Sequence, residues 1–165
     1  MKTQSILGKI SAGTHEASFG VAYLVLRFLM GGLFFFSGLV KVTTDWSAES
    51  YLLAANGPFA DWFHTLAGNG MVDAFNAWGV ICIGLAILFG FLVRPAALLG
   101  IVLMILYYLA HFALNTADGY INEQTVYAAV LFLFLAGGAG HAYGLNAIIL
   151  GNLRKPSAVT RFLFG

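Results

Sequence analysis

Polar side chains interrupt the long apolar runs of this sequence near one end of each run: Ser37 and Lys41, then Asp73 and Asn76, then Tyr107, Tyr108, His111 and Asn115, then Glu123 and Tyr127. An ammonium attracts negative charge, and phenols and an imidazole donate or accept protons. Tyr107, His111 and Asn115 follow one another at four-residue spacing, which on a helix places them on one face. If these faces turn inward, Lys41, Asp73, Tyr107, Tyr108, His111, Asn115 and Glu123 line a polar pocket with Lys41 at its entrance. The alternative is that each is an ordinary helix-end residue meeting water.

Other chemistries are excluded by what the sequence lacks. A single cysteine, Cys82, permits neither an internal disulfide nor a CxxC redox pair nor a cysteine-only metal site, and its apolar setting reads as core packing. Axial haem ligation needs two residues flanking one iron, but His111 and His141 end successive apolar runs a bilayer apart, and no spacing supports His64 with His111 or His15 with His141. No haem or metal is expected. Dinucleotide-binding, P-loop, GxSxG and HExxH patterns are absent. A formal charge of +1 gives no basic face for nucleic acid.

The elements that must position these groups follow from composition. Of 165 residues, 60% are hydrophobic and 9% charged, which a soluble domain of this size cannot bury. The expected architecture is an all-α integral membrane protein, a single domain over residues 1–165: a four-transmembrane-helix bundle with spans at about 20–42, 74–93, 96–114 and 125–142. Only Arg94 and Pro95 separate the second and third, which predicts a tight hairpin with proline in the first turn of the third. Residues 46–70 predict a cap of two short amphipathic helices divided at Asn56, Gly57 and Pro58, with Phe59, Trp62, Phe63 and Leu66 on one stripe. Neither cap helix is long enough to span.

Charge orients the bundle. Lys2, Lys9, Arg94, Arg154, Lys155 and Arg161 fall on one side, and Asp45, Glu49, Asp61, Asp73, Asp118 and Glu123 on the other. The positive-inside rule then puts both termini in the cytoplasm, the cap outside, and the chain in the cell's inner membrane. The first span is too long for a signal-peptide core and is expected to be retained. Gly31, Gly32 and Gly38, and the series Ala136, Gly140 and Gly144, predict close helix approach.

"RFLMGGLFFFSGLVK", residues 27–41, carries a cation at each end of an apolar stretch. Arg27, Phe34, Gly38 and Lys41 share one helical face. Arg27 lies about 10 Å in from Gly20 at about 1.5 Å per residue, so it can snorkel to headgroups as an anchor. The alternative is an inward arginine paired with a carbonyl, another chain or an anion.

The same stretch resembles the first-helix signature of the DoxX family: Arg27, Gly31, an aromatic at Phe34, Ser37-Gly38, then Lys41. The resemblance continues through "GPF" in the cap and "AHF", Ala110 to Phe112, and the cap "YLLAANGPFADWFHTLAGN" is most similar to the DoxD branch. It implies a membrane subunit of thiosulfate:quinone oxidoreductase, oxidising thiosulfate to tetrathionate outside with quinone as acceptor and a DoxA-like subunit as partner. In that setting Lys41 would attract a sulfur oxyanion, and Tyr107, Tyr108 and His111 would bind a quinone head group or move its protons. The alternative function is a non-catalytic accessory subunit that packs, through its phenylalanine-rich faces, against a larger respiratory or other membrane complex.

Overall fold

The computed structural model describes residues 2–117 and 119–137, with side chains over 18–115 and 119–137. Most of these residues are helical, with no strand among them: α1 (Lys2–Thr43), α2 (Glu49–Leu53), α3 (Ala60–Leu66), α4 (Gly70–Phe89), α5 (Val93–Ala110), α6 (Phe112–Ala117) and α7 (Glu123–Gly137). Three stretches are long and apolar enough to cross a membrane, Ser18–Thr43, Gly70–Phe89 and Val93–Ala110, each with a mean hydropathy of 1.9. The expected fourth span is a shorter apolar helix of 15 residues as far as Gly137; the rest of that span, residues 138–142 with Gly140 and His141, lies outside the described residues, as does Gly144. The described structure therefore holds three spans plus α7, where four spans were expected.

Helix ends follow local chemistry. Asn69 caps α4 by accepting from the Met71 N–H. Gly90, at φ 67°, closes α4 in the left-handed conformation, and the Phe91 N–H reaches back to the Ala86 carbonyl. The hairpin therefore turns at Gly90–Leu92 rather than at Arg94–Pro95; Pro95 sits inside the first turn of α5, where its missing N–H leaves no bond unmade. Asn122 opens α7: its Oδ1 accepts from the Thr125 N–H while Thr125 Oγ1 accepts from the Asn122 N–H.

The expected helix from 96 to 114 is interrupted, and the cause lies in the cap. The Asn56 N–H donates to the Ala110 carbonyl at 2.8 Å, and Asn56 Oδ1 accepts from the Ala113 N–H at 2.7 Å. A segment beside α5 thus takes over hydrogen bonds that a continuous helix would make internally, and His111 leaves helical geometry at φ −114°. The cap has its own small core of Ala48, Leu52, Ala55 and Phe63 against Ala110, while Phe59 and Trp62 stay exposed, so the predicted stripe is split.

Backbone contact between α1 and α4 is close. A Cβ at Gly84 would lie 2.4 Å from the Phe35 nitrogen, and at Gly31 or Gly38 it would meet the nitrogen of Leu88 or Ile81 at 2.8 Å, whereas Gly32 has open space around it. Where lipid provides no hydrophobic drive between helices, such approach gives dispersion its contacts. α7 packs on α5, with Leu131 and Phe134 fully buried, and Tyr23 on α1 donates to the Leu133 carbonyl at 2.9 Å.

Candidate functional site

The hairpin and cap bring the ends of α1 and α5 and the starts of α4 and α7 to one end of the bundle, as the charge pattern required. There Lys41, in the last turn of α1, donates from Nζ to Asn76 Oδ1 at 2.6 Å and to the Tyr107 hydroxyl at 2.9 Å. The Tyr107 hydroxyl donates in turn to Asn76 Oδ1 at 2.8 Å, so three helices meet in one closed network. Trp46, just after α1, lays its ring 4.5 Å from the ammonium, and the Tyr107 ring lies 5.4 Å from it. These partners of Lys41 are all neutral. A half-buried ammonium so placed keeps its charge available to an anion or an electron-rich oxygen.

Tyr51 of α2 closes the network from the cap. Its hydroxyl donates to the Tyr107 carbonyl at 3.2 Å, and its ring lies 4.2 Å from the His111 ring. Burial, and then the neighbouring Tyr107 and Glu123, push the Tyr51 phenol up to about 12, so it stays a neutral donor at physiological pH. His111 Nε2 is buried without a hydrogen-bond partner; the imidazole contributes a ring contact rather than a link in the network.

The remaining predicted residues do other things. Asp73 Oδ1 accepts from the Ala48 N–H and so pins the start of α2 to α4. Asn115 uses Nδ2 to satisfy the Tyr108 carbonyl at 2.8 Å, because α5 has ended and that carbonyl has lost its helical donor. Tyr108 points to the Tyr120 carbonyl, 3.4 Å away. The interruption at His111 is what separates Asn115 from the face it was expected to share with Tyr107. Glu123 joins Tyr107 on a small cavity of about 170 Å³, also lined by Ser37, Gln124 and Tyr127. Arg27 is 2% exposed and lies on the inward stripe with Tyr23, Met30 and Phe34. The inward alternative therefore describes its position, and the shared face of Arg27, Phe34, Gly38 and Lys41 is as predicted.

On the other side of the network a groove of about 1000 Å³ runs along α4 and α5. Its walls are apolar, among them Val80, Ile83, Ala86, Leu99, Val102 and Leu103, and Asn76 is the polar side chain that interrupts them. Trp46 and Tyr51 were missed as site residues. Trp46 had a signal, an aromatic five residues beyond Lys41; Tyr51 had none, since only the fold of the cap carries it to Tyr107.

Among the described residues no group of three or more His, Cys, Asp or Glu is placed to hold a metal ion. No curated protein and no solved structure matches the chain. The DoxX family model matches residues 22–113, more than half of the chain, from α1 through the cap to the break after α5, and takes in Lys41, Trp46, Tyr51, Asn76 and Tyr107; this membrane protein belongs to the DoxX family.

Proposed function

We propose that the protein is a quinone-binding membrane subunit of an oxidoreductase, with the quinone ring at Lys41, Asn76 and Tyr107 and its isoprenoid tail in the groove between α4 and α5. The observation that carries this reading is that Asn76, the hydrogen-bonding amide among the groove's described lining residues, is also the acceptor shared by Lys41 and Tyr107. A lipid-soluble ligand needs an apolar channel ending in a few fixed donors, and that is this arrangement. When a carbonyl oxygen arrives, Lys41 and Tyr107 can transfer their donor bonds from Asn76 to it, and the ammonium stabilises charge gathering on that oxygen.

The finer reading, following the resemblance to the DoxD branch, takes thiosulfate as the electron source, oxidised to tetrathionate with a DoxA-like subunit. The cap faces outward in the inner membrane, with both termini cytoplasmic. Lys41 remains the entrance for negative charge, and Arg27 acts inside the bundle on the cytoplasmic side.

Titration of the purified protein in lipid nanodiscs with a decyl-tailed benzoquinone and a naphthoquinone tests the site. Saturable binding is expected for one of them, weakened roughly 10- to 100-fold by Lys41→Gln or Asn76→Leu, since a hydrogen bond to a charged group contributes about 1.5–3 kcal/mol. Asn115→Leu, outside the network, should leave the affinity within about twofold. Absence of saturable binding to either quinone overturns the reading in favour of an accessory subunit.

A further inference from the structure

Tyr107 lines one space and, through its bond to Asn76, adjoins a second of opposite character. On the Asn76 side is the apolar groove; on the other is the 170 Å³ cavity between α1, α5 and α7. The polar lining of that cavity is Ser37, Tyr107, Glu123, Gln124 and Tyr127, against apolar walls from Leu33, Phe34, Val80 and Met104. Glu123 is exposed and opens α7, so the mouth lies at the cap-side surface. Tyr127 is one turn further in, about 6 Å, and Ser37 lies about 9 Å from the end of α1 at about 1.5 Å per residue. Such depths are within reach of the interfacial layer. Water occupies roughly 30 Å³ per molecule and settles where several polar partners surround it, so a space of this size and lining has room for a few waters. Among the described residues α1 and α7 meet where Tyr23 contacts Leu133 and Phe134, toward the end of the pair away from this cavity.

We infer that this cavity is a water-filled vestibule through which protons pass between the outer aqueous phase and Tyr107, separate from the lipid-facing route taken by the quinone. The inference rests on the proposed quinone site for its purpose, and on Ser37, Tyr127 and Glu123 for its existence. Reduction of a quinone to a quinol takes two electrons, here from the sulfur-compound donor, and two protons. For the quinone oxygen held at Tyr107, the Tyr107 O–H bond breaks as that oxygen gains its hydrogen, and the phenolate regains a proton from a vestibule water, whose own deficit is met by bulk water at the mouth beside Glu123; the other carbonyl oxygen, across the ring, takes its proton from interfacial water. Lys41, Tyr51 and His111 are the other titratable groups around Tyr107, and Asp73 is held on the Ala48 N–H.

Cysteine accessibility tests the vestibule without reference to quinone. In a Cys82→Ala background, Ser37→Cys and Tyr127→Cys should react with a small charged methanethiosulfonate reagent added outside at least about tenfold faster than Phe36→Cys, whose side chain is 64% exposed on the lipid-facing side of α1. Equal rates for Ser37→Cys and Phe36→Cys overturn the vestibule. Ser37→Leu, which fills the space, should leave quinone affinity within about twofold and lower quinone-linked turnover at least about tenfold, with Ser37→Thr close to wild type. Unchanged turnover in Ser37→Leu removes the proton role. Fast labelling in a protein that binds no quinone retains the vestibule and defeats only the proposed ligand, so the two failures are distinguishable.

Discussion

Gly84→Ala tests the seam on which the site is built. The added methyl would sit 2.4 Å from the Phe35 nitrogen, 2.7 Å from its Cα and 2.9 Å from the Gly31 carbonyl oxygen, against an ordinary contact distance of 3.4–4 Å. All three neighbours are backbone, so no side chain can rotate aside, and α1 must retreat from α4 by about 1 Å. Overpacking of this kind costs about 1–3 kcal/mol, and a gap of that width forfeits a quarter to a half of the dispersion in neighbouring contacts. Taking the upper end and subtracting the roughly 1 kcal/mol that alanine gains over glycine in a helix leaves about 2 kcal/mol. At 1.4 kcal/mol per factor of ten, the folded-to-unfolded ratio falls about 30-fold. Titration with SDS in mixed micelles, followed by tryptophan fluorescence, measures it. Gly32→Ala in the same bundle meets nothing within 4 Å and should be neutral or slightly stabilising. Equal stability of Gly84→Ala and wild type would refute the close-packed seam, and an equal loss in Gly32→Ala would refute its localisation.

Asn56→Ala removes the acceptor of the Ala113 N–H and should cost about 1–3 kcal/mol, with faster hydrogen exchange at Ala113 and little change in α4. Tyr51 keeps its proton up to about 12 when folded but releases it near 10 when unfolded, so its contribution is fully present below pH 10 and is lost as pH rises toward 12. The stability of Tyr51→Phe should accordingly fall less steeply than that of wild type over this window. For orientation, cysteine placed at Asp118 should react with an impermeant maleimide in intact cells while cysteine at Ser157 should not; labelling at Ser157 from outside would reverse the topology.

Three spans and the cap were legible because lipid imposes a length and a polarity that composition reveals directly, while the fourth predicted span is matched among the described residues only by the shorter α7. Lys41 and Tyr107 were legible as partners because both had to end up at the same membrane surface. Tyr51 was not, since its place depends on how the cap folds back, a contact between residues 56 positions apart. Asn115 was misjudged because a pattern at four-residue spacing presumes an unbroken helix, and the break at His111 is imposed by Asn56 from another part of the chain. Arg27 illustrates the limit of depth arguments: distance from a helix end says that a side chain can reach the surface, while rotation about the axis decides that it turns inward.

The bonds of Asn56 also set an order of events during biogenesis. Residues 49–66 precede Val93–Ala110 in the order of synthesis, yet the Asn56 N–H has its acceptor at Ala110 and its side-chain oxygen has its donor at Ala113. The cap must therefore wait, incomplete, until the α4–α5 hairpin is in place. Only then do Tyr51 and Tyr107 meet. The network of Lys41, Asn76, Tyr107 and Tyr51 consequently forms only after the hairpin is in place, and a chain whose hairpin fails to insert keeps an open cap, with Asn56 lacking both of its partners.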